Sequence, residues 1–177
     1  AALPEGGMGR IPEQMASKLP AGAISLNTHV AKDDPRRIRL ADGTEILSNH
    51  IILATDMTTA ASLIKDDTLN RGWNETHCLY FSSPCSPLPG PYIALNGSQS
   101  GKISNIAVPS DAAGGYAPDG KSLICVSTNG VASLKEIQRE LRAWFGKQAD
   151  SFDFLELYAI PEALPRQLPG DNGYGKN

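Results

Sequence analysis

Ile11, Met15 and Leu19 recur every four residues and Pro12 suits a first helical turn, so the pattern predicts a short helix behind a glycine loop, with one face turned inward. Pro20 to Gly22 breaks it. Ala23 to Val30 then alternates Ile24, Leu26 and Val30 with polar Asn27 and His29, which predicts a strand. In the next run Ile38 and Leu40 share a face opposite Arg37 and Arg39, and Asp42-Gly43 stands before a second strand-like run, a hairpin signal. The return strand is expected to run from Thr44 through Ile46 into Ile51 to Ala54, an apolar stretch of the kind found where both sheet faces are covered. Met57, Ala60, Ala61, Leu63 and Ile64 then make a helical stripe that Asp56 is placed to cap, ending near Asp66.

From Trp73 the chain reads as short strands at Cys78 to Phe81, Tyr92 to Leu95, Ile103 to Val108 and Ser122 to Ser127, divided by Pro, Gly and Ser clusters. Ser133 and Glu136 form a capping box ahead of Leu134, Ile137, Leu141, Trp144 and Phe145, with Gly146 as the stop, so a helix is predicted over 133–146. A last strand, Phe152 to Ile160, runs into a Pro/Gly-rich tail. The fold class expected is α+β: a helix, three strands and a helix over 1–68, a mostly antiparallel sheet with one well-capped helix over 69–164, and a flexible tail over 165–177.

Composition narrows the function. Among 177 residues, 16 Lys and Arg face 19 Asp and Glu, so no basic excess exists to neutralise a phosphate backbone and nucleic acid is excluded as the expected partner. No apolar run approaches the roughly 18 residues of a membrane span, so a soluble chain is expected. Cys78, Cys85 and Cys125 are odd in number and lack a C-x-x-C pair, which predicts free thiols and a reducing, cytoplasmic location. His29, His50 and His77 have no ligand-like spacing, so no metal site is expected. Gly6-Gly7-Met8-Gly9 is neither G-x-G-x-x-G nor a Walker loop, and Ser82, Ser83 and Ser86 near His77 lack a nucleophile elbow. No complete active site is legible.

The order of elements says more than any one of them. The series L-P-E-G-G-M-G-R-I-P-E-Q-M-A, S-L-N-T-H-V, R-I-R-L-A-D-G-T-E-I and I-I-L-A-T-D, followed by C-L-Y-F-S-S-P, I-A-L-N-G, L-I-C-V-S, A-W-F-G and Y-A-I-P-E-A-L-P, resembles the flavin-containing amine oxidoreductase superfamily. That superfamily includes amine oxidases, protoporphyrinogen oxidases and phytoene desaturases. The resemblance implies that 1–68 is part of an FAD-binding domain and 69–164 much of a substrate domain. It also implies that the family's G-x-G-x-x-G loop would precede this stretch and a Gly-Asp flavin segment would follow it.

By the same resemblance Val30 contacts the adenine end of FAD, and Ala54 and Thr55 pass beside the flavin ring, although Val30 and Ala54 read equally well as core. Ser83 stands where amine oxidases carry a lysine, which turns the expectation from amine oxidation toward dehydrogenation or desaturation of a small or apolar molecule. FAD is expected in the parent protein and is not expected to be retained by this stretch alone. Self-association through surface covered in the parent is expected too. The alternative reading is a non-catalytic β-rich binding or assembly domain.

Overall fold

The computed structural model describes residues 2–34, 36–98 and 100–167. In chain order these form α1 (Arg10–Ala16), β1 (Val30–Asp34), β2 (Arg37–Leu40), β3 (Glu45–Leu47), α2 (Met57–Ile64), β4 (Trp73–Ser83), β5 (Ile93–Leu95), β6 (Ile103–Ala107), α3 (Pro109–Ala112), β7 (Ser122–Thr128), α4 (Leu134–Phe145) and β8 (Asp153–Pro165). The α+β class holds, with one three-stranded and one five-stranded sheet. Among the described residues no helix is long and apolar enough to cross a membrane. The chain divides into two compact units: residues 1–18 with 74–164, and residues 19–73 with the stretch from 165. Apart from residues 165–167, the tail expected over 165–177 lies outside the described residues.

The unit built on residues 19–73 is a β1-β2-β3 antiparallel meander with α2. Its hairpin turns where Asp42-Gly43 predicts: Gly43 takes φ +88°, a left-handed conformation that favours glycine, and the Asp42 carboxylate accepts the Thr44 N–H at 2.9 Å. Asp56 caps α2 through the Thr59 N–H at 2.8 Å, as expected, and Lys65 closes the helix in the left-handed region. Two predicted strands are absent. Residues 23–28 join no ladder; Asn27 has a positive φ and Leu26 is 79% exposed. Ile51 to Ala54 is also outside any strand: Ile51 and Leu53 are half-buried, but Ile52 on the other side is 89% exposed, so no described neighbour covers that face of the run. Ala61 is the one buried residue of this unit among those described.

In the other unit the sheet order is β5-β6-β7-β4-β8, with antiparallel pairs β5/β6, β6/β7 and β7/β4. Alternate residues of β4 and β7 point to one face, where Leu79, Phe81, Ile124 and Val126 meet Ile103 and Ile106 of β6 and Ile137 and Leu141 of α4 in a single buried cluster. The predicted capping box holds α4: the Ser133 Oγ accepts from the Glu136 N–H while the Glu136 carboxylate accepts from the Ser133 N–H. One turn further on, Glu140 accepts the N–H groups of Lys102 (2.7 Å) and Ile103 (3.0 Å), tying α4 to the start of β6. The inward face predicted for the first helix is not formed. Ile11 and Met15 are 45% and 67% exposed, and α1 buries no residue.

Candidate functional site

The face of the five-stranded sheet opposite α4 is where chemistry collects. Period-two alternation sends Cys78, Tyr80 and Ser82 of β4 to that side, each half-buried, and pairs them with Ser127, Cys125 and Leu123 of β7. Asn105 and Ala107 of β6 extend the same face as the partners of Ser127 and Cys125. From β8, Tyr158 stands edge-on to Tyr80, with ring centroids 5.8 Å apart and planes at 87°. The result is a surface of half-buried Tyr80, two half-buried thiols and small polar groups around apolar Leu123 and Ala107, with the exposed Tyr158 ring at its edge.

Its closest polar contact is between thiols. Cys78 Sγ and Cys125 Sγ are 3.3 Å apart, and both cysteines are free. A hydrogen bond from the Cys125 thiol holds Cys78 well below the usual thiol range, at about 6, against the opposing effect of burial; the Tyr80 and Ser127 hydroxyls add to the lowering. The same bond pushes the Cys125 thiol up, because its proton is held between the two sulfurs, and burial pushes it further. Tyr80 is also raised, first by burial and then by the charge of the cysteine pair. The pair therefore favours an anion at Cys78 over one at Cys125.

Residues singled out from the sequence fall elsewhere. Ser83 lies on the opposite, core-facing side of β4, fully buried, and its hydroxyl donates to the Cys85 carbonyl at 2.7 Å. A side chain so placed does not share the open face; Ser82 does. Val30, Ala54 and Thr55 belong to the other unit. Val30 begins β1 half-buried and paired with Leu40, while Ala54 and Thr55 are exposed in a stretch without strand pairing. Small, exposed side chains at 54 and 55 leave the backbone of this segment open.

The model of the flavin-containing amine oxidoreductase family matches residues 1–165. The chain belongs to that family. A comparison with curated protein sequences finds no match. Among solved structures, reduced UDP-galactopyranose mutase is similar at TM-score 0.64 and 13% identity over 92% of this chain and 41% of its own. An Exiguobacterium protein assigned as a protoporphyrinogen oxidase reaches TM-score 0.63 at 17% identity, over 94% of this chain and 41% of its own. A Pyrococcus furiosus protein gives 0.60 at 17%, over 78% and 38%. These likenesses concern the fold. The chain spans about two fifths of the length of the structures it matches.

Cys78, Tyr80, Cys125 and Tyr158 of this family member are not site candidates by sequence. The alternation Cys78-Leu-Tyr-Phe-Ser82 beside Leu123-Ile-Cys-Val-Ser127 was the available signal: core residues on one parity, polar groups on the other.

Proposed function

We propose that this chain is part of an FAD-dependent oxidoreductase that dehydrogenates a small or apolar organic substrate, with residues 69–164 forming the substrate side and residues 1–68 contributing to the flavin side. The observation that carries the reading is the open sheet face of Tyr80, Tyr158, Leu123 and the cysteine pair within a chain matched by the family model over residues 1–165. Aromatic and aliphatic groups there suit an apolar substrate, and a few hydroxyls and thiols suit its orientation. FAD, when bound, accepts the hydride; Val30, Ala54 and Thr55 are the residues of this chain that would lie along it. Tyr80 and Tyr158 would hold the substrate by edge and face contacts and exclude water from it. Three free thiols support a cytoplasmic location, and exposed Leu26, Leu47 and Ile52 support self-association of the isolated stretch.

The test compares this chain with the intact product of its reading frame. The intact protein is expected to purify yellow with FAD bound. The 177-residue chain should retain no stoichiometric flavin through gel filtration. Tyr80→Ala and Tyr158→Ala in the intact protein should slow substrate-dependent flavin bleaching while leaving the bound flavin in place. An intact protein that neither contains nor binds FAD would overturn the assignment.

A further inference from the structure

The two thiols on the open sheet face form a unit that the flavin reading does not use. Cys78 opposes Ser127 and Cys125 opposes Tyr80, so the cysteines are diagonal across the central β4/β7 pair, and their sulfurs approach to 3.3 Å. Half-buried positions leave both reachable by small molecules. We propose that Cys78 and Cys125 are an oxidisable dithiol, a modification site for hydroperoxides in which Cys78 attacks and Cys125 resolves.

Attack is assigned to Cys78, whose anion is stabilised by the Cys125 thiol 3.3 Å away and further by the Tyr80 and Ser127 hydroxyls. In the first step the Cys78 sulfur attacks the peroxide, forming an S–O bond and breaking the O–O bond; the departing alkoxide or hydroxide takes a proton from water. Cys125 then loses its proton and attacks the Cys78 sulfenic acid. An S–S bond forms, the S–O bond breaks, and hydroxide leaves with that proton as water. Two electrons pass from the dithiol to the peroxide, giving a disulfide, an alcohol or water, and a further water. Closing 3.3 Å to a bond of about 2.05 Å asks for a shift of roughly 1.2 Å across a diagonal that is wider than a directly opposed pair. Thiol–disulfide exchange reverses such a cross-link.

The experiment treats the 177-residue chain with one equivalent of hydrogen peroxide, alkylates the remaining thiols and maps the peptides. Two of the three thiols should disappear, joined as Cys78–Cys125 within one chain and restored by dithiothreitol, while exposed Cys85 stays alkylatable. Cys78 and Cys125 should be lost together and ahead of Cys85, because only they have a second sulfur at 3.3 Å. In Cys125→Ser and Cys125→Ala, dimedone should capture a sulfenic acid at Cys78. Oxidation of Cys85 at an equal rate, a Cys78 sulfenic acid that never resolves in the unmodified chain, or cross-links only between chains would each overturn the proposal. The peptide map of the unmodified chain decides it whether or not the variants fold.

Discussion

Glu140 shows how one side chain can fix the approach of a helix to a sheet. Its carboxylate takes two backbone N–H groups, and the chain reaches it through Gly101, whose φ is +89° and where an added Cβ would lie 2.7 Å from Glu140 Oε2. Gly101→Ala is therefore strained twice, by conformation and by contact, and should lower stability by upward of about 1 kcal/mol. Glu140→Ala leaves two half-buried donors unpaired and should cost about 1–3 kcal/mol. Urea midpoints measure both. Capping carboxylates contribute to the acid response: Glu136 is held below the usual carboxylate range first by the Ser133 hydroxyl, Asp56 first by the Thr59 hydroxyl, and Asp66 first by the Thr68 hydroxyl. Because these groups titrate lower in the folded chain than in the unfolded one, their contribution is present above the ordinary carboxylate range and fades as pH falls through the lower folded values. The urea midpoint should fall between about pH 5 and pH 2, and Glu136→Gln should flatten that fall. A midpoint that rises on acidification would contradict the capping geometry.

At the scale of elements, strands of similar apolar content differ in what they bury. Phe81 is fully buried against α4 and meets Phe154 edge-on at 5.7 Å, whereas Leu47 in β3 is 79% exposed. Phe81→Ala should destabilise its unit by about 3–5 kcal/mol through the cavity it opens. Leu47→Ala should change stability by less than about 0.5 kcal/mol. Denaturation followed by circular dichroism separates the two, and equal losses would mean that β3 is covered in solution. The same contrast explains α1 and α4. Both carry an apolar stripe, but only α4 lies over a sheet face, with Ile137 and Leu141 buried and a complete capping box at its start.

For the whole molecule, the distribution of core predicts an uneven stability. The sheet unit holds the buried cluster from Leu79 to Phe152, while the unit of β1–β3 and α2 buries Ala61 alone among the described residues. Hydrogen exchange should accordingly show slow amides in β4, β6, β7 and α4 and fast ones through β1–β3 and α2. Uniform protection across both units would show that the second finds a core elsewhere, as in an assembly. The open sheet face belongs to this unit, so Tyr80, Cys78 and Cys125 stand on β4 and β7, strands whose other face forms the core.

Local chemistry was readable from the sequence because its causes are local. Asp42-Gly43 makes its turn, Asp56 and Ser133 with Glu136 cap their helices, and Gly146 stops α4, each through bonds within a few residues of chain. The strands at Cys78, Ile103 and Ser122 were legible as well, since turn clusters bound them and alternation marks their faces. The order of these pieces was enough to resemble the family that the comparison then established. Whether an apolar run becomes a strand depends on a neighbour that periodicity does not encode; Ile24, Leu26 and Ile51 to Ala54 have the pattern and lack the partner. Only the register of β4 on β7 put Ser83 in the core and Ser82 on the open face, and brought together Cys78 and Cys125 from positions 47 residues apart. A hydrogen bond between two thiols requires that pairing, so the tertiary structure, and not either stretch of chain, decided that the two sulfurs would meet.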